Sequence, residues 1–181
     1  MTMRKPRIYL CGPVDAFPDL GSAWRTAAAK VVEAEGCTPA WPDPTLLAVD
    51  MGSITADRAR AVWAQKTAET REAAPWHMPH MDCLRQLLTC DAVLCCWSSA
   101  AGKGTRAELA FAAWVGKPVA LVLDCSRVVD GVDVDFLNSF GRICFGTKHG
   151  PGFGLFESAV VDCVRSLKST LAISVEAARP C

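Results

Sequence analysis

The segment Ala92–Trp97 constrains the fold more than any other part of the sequence, because every side chain in it is apolar. A strand with one face in water alternates apolar and polar residues, whereas a continuous apolar run is expected of a strand covered on both faces, as in parallel sheets. Shorter runs at 7–11, 38–41, 119–123 and 143–145 predict further strands. The sequence therefore predicts a mainly parallel sheet of about five strands.

Helical segments separate these runs. Apolar residues recur at helical spacing in 22–35, which ends at a glycine, and helices are also predicted at 79–89, 105–115 and 156–171. Strands that alternate with helices imply βαβ units with right-handed crossovers. With 181 residues, the chain is long enough for one ordinary domain. We therefore expect a single α/β domain over 1–181, with a flavodoxin-like (Rossmann-like), doubly wound fold.

The stretch 42–78 interrupts this alternation. It contains a predicted polar helix at 55–71 with alternating charge and only a weak apolar stripe. Such a segment is either a surface excursion or lid, or an extra helix packed on the domain. The sequence leaves both interpretations open.

Composition excludes several classes of partner. Lys plus Arg and Asp plus Glu number 19 each, so no basic surface for a nucleic-acid polymer or an anionic membrane is expected. No apolar run approaches the ~20 residues of a membrane span. The ten cysteines show no C-x-x-C spacing, and the N-terminal residues do not resemble a signal peptide. We expect reduced thiols, a cytoplasmic protein, no metal site and no cofactor.

Ligands of such sheets bind beyond the carboxyl ends of the strands. The loop segments "CGPVDAFPD", "SSAAGKGTRAE" and "DCSRVVDG" follow three of the predicted strands. In the second, Gly102–Lys103–Gly104–Thr105 begins a helix, and free N–H groups there favour an anion. Glu108 follows on the same helix, and the alternative interpretation is an exposed capping box formed with Thr105.

Several motifs together resemble a known family. The segments "RIYLCGP", "CDAVLCCW" and "GTRAELAFAAWVGKPV" are similar to the nucleoside 2-deoxyribosyltransferase superfamily, including its nucleotide N-glycosidase branch. The "GPVDAFPD" turn and the "WSSAAGKG" loop also resemble a related phage and bacterial family whose members are mostly uncharacterised. The Gly-Thr-x-x-Glu helix is the most specific of these motifs.

The resemblance implies two catalytic residues. Glu108 occupies the position of the family's nucleophile, which attacks the anomeric carbon and forms a covalent glycosyl-enzyme. The family carries an Asp or Asn on the preceding helix, where this chain has Cys83, with Asp82 one place earlier. Asp82 is therefore the candidate proton donor to the leaving base, and its alternative role is that of an exposed acid in a first helical turn.

The chemistry of the loops and the resemblance together predict a substrate-binding set, and the resemblance implies a partner subunit. The set comprises Gly12, Pro13, Asp15, Trp97, Ser98, Ser99, Gly102, Lys103, Gly104, Thr105 and Asn138. The family often has an Asp where Gly102 stands, and its loss favours a phosphate near Lys103 and Arg106; the alternative is that both basic side chains are merely solvated. Asn138 corresponds to a residue that the family supplies from a neighbouring subunit, so a homo-oligomer, at least a dimer, is expected.

The implied function is cleavage of the N-glycosidic bond of a deoxynucleoside or its 5′-monophosphate, by hydrolysis or base exchange. A small-molecule nucleoside or nucleotide would then be the substrate. Two alternatives are an NAD glycohydrolase and a non-catalytic nucleotide-binding sensor. The sequence does not discriminate the base, the sugar or the acceptor.

Overall fold

The computed structural model of the chain describes residues 4–14, 18–73, 81–97, 102–124, 142–146 and 154–177. Its strands are β1 (Arg7–Cys11), β2 (Thr38–Ala40), β3 (Ala92–Trp97), β4 (Val119–Asp124) and β5 (Arg142–Gly146). Its helices are α1 (Ser22–Ala34), α2 (Pro44–Asp50), α3 (Ala56–Ala73), α4 (Met81–Leu88), α5 (Lys103–Trp114) and α6 (Gly154–Ala177).

The strands form one parallel sheet in the order β2-β1-β3-β4-β5. Helices α1 and α6 cover one face, and α4 and α5 cover the other. The predicted α/β class with a parallel sheet flanked by helices is confirmed. The order of the strands is the one found in flavodoxin, and it reverses at the junction of β1 and β3. None of the helices in the described ranges has the length and hydropathy that a membrane crossing requires.

Strand β1 is an interior strand of this sheet, paired with β2 on one side and with β3 on the other. Successive side chains of a strand point to opposite faces. Ile8 and Leu10 therefore pack in the core shared with α1 and α6, whereas Tyr9 and Cys11 pack on the side of α4 and α5. Two functional groups of β1 thus face the helix that carries Glu108.

Helix α2 was not predicted from the sequence. It has only 7 residues, too few for a clear helical period. Its start is well defined, because the Asp43 side chain accepts a hydrogen bond from the Thr45 N–H at 2.7 Å and Pro44 opens the first turn.

The described part of the 42–78 stretch packs against the domain. Leu46 of α2 and Ala59 of α3 share a small apolar cluster with Leu20, which precedes α1. Trp63 of α3 packs against the same cluster. Helices α2 and α3 are therefore held by apolar contacts, and movement as a lid stays a prediction.

The turn after β1 is closed by an aromatic ring. Trp24 of α1 lies so close to Gly12 that an added Cβ would be 2.6 Å from Cζ2 of the ring and 3.0 Å from the Cys96 carbonyl oxygen. By contrast, a Cβ on Gly102, which has an ordinary φ of −77°, would meet no atom of the described residues within 4 Å. Close packing against Trp24 therefore explains why position 12 has a residue without a side chain, in addition to any need for ligand access.

We predict that Gly12→Ala destabilises the protein by about 1–3 kcal/mol, because the new methyl group overpacks the Trp24 contact. The matched control Gly102→Ala exchanges an N-cap glycine for a poorer cap but meets no described atom, and is expected to lower the free energy of unfolding by less than about 1 kcal/mol. Urea unfolding of both variants measures the difference. Equal midpoints for the two variants would contradict the packing assigned to Gly12.

Candidate functional site

Helix α5 begins earlier than the sequence indicated. Its N-cap is Gly102, in an extended conformation, and no side chain in the described ranges caps the helix. Thr105 therefore lies inside the first turn and is buried. The predicted capping box between Thr105 and Glu108 is wrong, because a capping Thr must occupy the N-cap, which is Gly102, and the Glu108 oxygens accept hydrogen bonds from Tyr9 and Cys11.

Glu108 is buried, with 6% of its surface exposed. Its Oε1 accepts a hydrogen bond from the Tyr9 hydroxyl at 2.8 Å, and its Oε2 accepts one from the Cys11 thiol at 3.1 Å. A buried carboxylate is costly unless hydrogen bonds replace its water. Tyr9 and Cys11, on the same face of β1, thus each donate a hydrogen bond to one oxygen of the carboxylate.

Both donors keep their protons at neutral pH. Burial is the main cause that raises the pKa of Tyr9 well above its usual value, and the charge of Glu108 adds to it. Burial also raises the pKa of the Cys11 thiol, followed by its contact with Cys95 and by Glu108. A neutral hydroxyl and a neutral thiol therefore donate to the carboxylate without cancelling its charge.

Helix α4 turns Cys83 toward this carboxylate. Burial raises the pKa of the Cys83 thiol to about 12, with the charges of Glu108 and Asp43 as further causes and a hydrogen bond with Tyr9 opposing them. The half-buried thiol thus shares the surroundings of Tyr9 and Glu108. It occupies the position at which the resemblance implied an Asp or Asn.

Asp82 points elsewhere. It is exposed and forms ion pairs with Lys66 of α3 at 3.0 Å and with Arg85 at 3.1 Å. The hydrogen bond from Lys66 is the main cause that lowers its pKa. At neutral pH the carboxyl therefore holds no proton to donate. The role of Asp82 as proton donor stays a prediction, and its surroundings favour the alternative role of a surface acid at a helix start.

Lys66 connects three helices at the rim of this region. Besides Asp82, its ammonium lies 3.6 Å from Oδ2 of Asp43, the buried N-cap of α2. The hydrogen bond to Asp82 is the main cause that raises the pKa of Lys66. The lysine thus links the start of α2 to α4 through α3.

Trp97 is the last residue of β3, and Gly104 and Thr105 lie in the first turn of α5, the helix that carries Glu108. Trp97 is fully buried among the side chains that pack under α5. The Arg106 guanidinium lies over its ring, 5.1 Å from the centroid, which is cation–π distance. Gly12 and Pro13 are buried where β1 ends, next to Cys11. The structure therefore brings these predicted residues to one edge of the sheet.

Some predicted residues lie outside the described ranges: Asp15, Ser98, Ser99 and Asn138. The backbone of Lys103 is described and its side chain is not. Within the parts of the chain that are described, no cluster of three or more His, Cys, Asp or Glu side chains is placed to hold a metal ion.

Sequence reasoning missed Tyr9 and Cys11 as partners of Glu108. The signal was available in part, because alternation along β1 puts positions 9 and 11 on one face. Which face would meet α5 depends on the crossover direction and on the rotation of the helix, neither of which is readable from spacing alone. Cys83 was noted only as a departure from the family pattern.

Comparisons with known proteins give no family. No family model matches the sequence, and no curated protein is similar to it. Among solved structures, the CMP N-glycosidase BcmB of Clostridium botulinum is similar over 91% of this chain and 98% of that chain, with 12% identity and a TM-score of 0.44. An α/β-superfamily protein from Xanthomonas campestris pv. campestris, for which a hydrolase activity has been suggested, is similar over 92% and 99%, with 17% identity and a TM-score of 0.41. At these scores we draw no conclusion from either likeness.

The placement of Cys83 generates a test that needs no substrate. A pKa of about 12 leaves only ~10⁻⁴ of the thiol ionised at pH 8, so Cys83 should react slowly with iodoacetamide. Glu108→Gln removes a charge that raises this pKa, and alkylation at Cys83 should become up to about tenfold faster. Peptide mass spectrometry over time measures the rate.

Asp82→Asn is the matched control, since Asp82 is adjacent in sequence but its side chain pairs with Lys66 and Arg85. It should change the rate at Cys83 much less than Glu108→Gln. A rate that responds to Asp82→Asn alone would contradict the orientation of α4.

Proposed function

We propose that this protein cleaves the N-glycosidic bond of a deoxynucleoside or its 5′-monophosphate, with Glu108 as the nucleophile. The observation that carries the proposal is the Glu108 carboxylate, buried and hydrogen-bonded through both oxygens to neutral donors of β1. Neutral donors orient a carboxylate and leave its negative charge available. That combination suits attack on an electron-poor carbon.

The reaction would proceed in two displacements. A Glu108 oxygen bonds to C1′ of the sugar while the C1′–N bond breaks and its electron pair leaves with the base. Water, or a second base, then attacks C1′ and releases the carboxylate. The first route gives hydrolysis and the second gives base exchange.

The position of Glu108 in the sheet supports this assignment. The carboxylate contacts the last residue of β1, and β1 and β3 are the neighbours between which the strand order reverses. Ligands of open α/β sheets bind in the crevice at that point. At the N-cap of α5, no atom of the described residues lies within 4 Å of where a Cβ on Gly102 would be.

Protonation of the leaving base is assigned to no described residue. Tyr9, Cys11 and Cys83 have raised pKa values, and Asp82 has a lowered one. The three groups with raised pKa values can donate hydrogen bonds to a base but do not protonate it readily near pH 7, and the Asp82 carboxylate holds no proton to give. A base that already leaves well is therefore the better substrate in this proposal.

We predict that Glu108→Ala and Glu108→Gln each lower the rate of base release by about 10³-fold or more, as expected on loss of a nucleophile. Wild type and variants are incubated with a panel of nucleosides, 5′-monophosphates and NAD, with and without an acceptor base, and free base is measured by chromatography. The control Glu157→Gln removes an exposed carboxylate in the first turn of α6 and should leave turnover unchanged.

The panel also separates the alternatives. Release of nicotinamide alone would identify an NAD glycohydrolase, and binding of nucleotides without any base release would identify a sensor. Undiminished turnover in both Glu108 variants would end the nucleophile assignment.

A phosphate subsite at the start of α5 forms part of the proposal. Among the described residues no side chain caps this helix, and the first N–H groups of a helix are favourable for an anion; Arg106 is held nearby on the Trp97 ring. Lys103 is the first residue of the helix. A 5′-monophosphate would place its charge at this positive end.

We predict that wild type prefers a deoxynucleoside 5′-monophosphate over its nucleoside in kcat/KM, and that Lys103→Ala lowers this preference about tenfold or more, because a hydrogen bond to a charged group contributes about 1.5–3 kcal/mol. Lys30→Ala, which removes an exposed lysine of α1, is the control. Equal kcat/KM for the two substrates in wild type would remove the phosphate subsite and leave a nucleoside enzyme.

A further inference from the structure

We propose that Cys11 is a positioning residue, whose thiol holds one oxygen of Glu108 in the orientation used for attack. The catalytic consequence of this inference rests on the proposed function, whereas its structural part does not. The thiol lies 3.1 Å from Oε2, and the Tyr9 hydroxyl holds Oε1 at 2.8 Å. A carboxylate fixed at both oxygens cannot rotate about its terminal bond without losing a hydrogen bond.

The strand that carries both donors is rigidly held. Strand β1 pairs with β2 on one side and with β3 on the other, and Cys11 lies in register with Cys95 of β3. Cys11 is fully buried, so its sulfur has a defined place against α5. Its sulfur also lies 4.0 Å from the Thr105 carbonyl oxygen, on the turn of α5 that precedes Glu108.

The chemistry of a thiol suits this position. A lysine or arginine would neutralise the carboxylate and weaken it as a nucleophile, whereas a thiol is a weak, uncharged donor. Burial and its neighbours raise the pKa of Cys11, which keeps the donated proton on sulfur. Cys11 can thus orient Glu108 while leaving its charge in place.

The competing explanation is that Cys11 only fills space in the core. Serine and alanine side chains at this position are nearly equal in size and differ by one hydroxyl donor. Comparing Cys11→Ser with Cys11→Ala therefore isolates the hydrogen bond from the packing. Cys96→Ala is the control, because it removes an equally buried thiol from β3 on the opposite face of the sheet.

The first measurement is the pKa of the Glu108 carboxyl, followed by ¹³C NMR in protein labelled at glutamate. The signal is assigned by its absence in Glu108→Gln. Removal of a donor to the charged form raises a carboxyl pKa, so Cys11→Ala should raise it by about half a unit to one unit. Cys11→Ser should restore a value at or below that of wild type, and Cys96→Ala should leave it unchanged.

The second measurement is the split between kcat and KM for base release. Misorientation of the nucleophile should lower kcat about tenfold in Cys11→Ala with little change in KM, and Cys11→Ser should recover most of the rate. If Cys11→Ala does not fold, Cys11→Val, which fills the space without a donor, replaces it in both comparisons.

The outcomes separate the two proposals. The expected NMR shifts without base release from any nucleotide would support the positioning contact and overturn the proposed reaction. Base release that depends on Glu108, with equal pKa and kcat in Cys11→Ala and Cys11→Ser, would overturn the role of Cys11 and leave the reaction standing.

Discussion

The burial of one carboxylate organises the region where the sheet and α5 meet. A charged group removed from water must receive hydrogen bonds in place of its hydration, and Glu108 receives them from Tyr9 and Cys11. Both donors come from the face of β1 that packs under α5. The contacts therefore tie β1, an interior strand of the sheet, to α5, and any shift of one relative to the other would uncover the charge.

The sheet was predictable because its signals are local. The apolar run of β3 and the glycine and proline residues that end each element are readable without knowledge of the rest of the chain. Helix α2 was not predicted because its formation depends on a tertiary contact, the burial of Leu46 beside Leu20, and not on a repeating sequence pattern. Periodicity detects elements that span several turns, and a helix of 7 residues barely offers two.

The site was less predictable, because it depends on rotation about helix axes. One residue along a helix turns a side chain by ~100°. On α4 this rotation directs Cys83 toward Tyr9 and Glu108 and leaves Asp82 in water, paired with Lys66. A comparison of sequence patterns that permits a shift of one residue favours Asp82 as the proton donor, because the family has an acid or amide near this position. In the structure it is the Cys83 thiol that points toward Glu108. Residue type and side-chain direction therefore favour different residues on α4.

The start of α5 shows the same dependence on a small displacement. Had the helix begun after Thr105, Glu108 would sit in its first turn as an exposed capping acid. It begins at Lys103 instead, which places Glu108 in the second turn, facing β1. No side chain of the described residues caps the first turn, and the acid that would have capped it is held in the core. A site that holds a phosphate near a nucleophile of the same charge must keep the two charges apart. An arrangement in which the carboxylate is held against β1 and the phosphate binds at the positively polarised start of α5 meets this requirement.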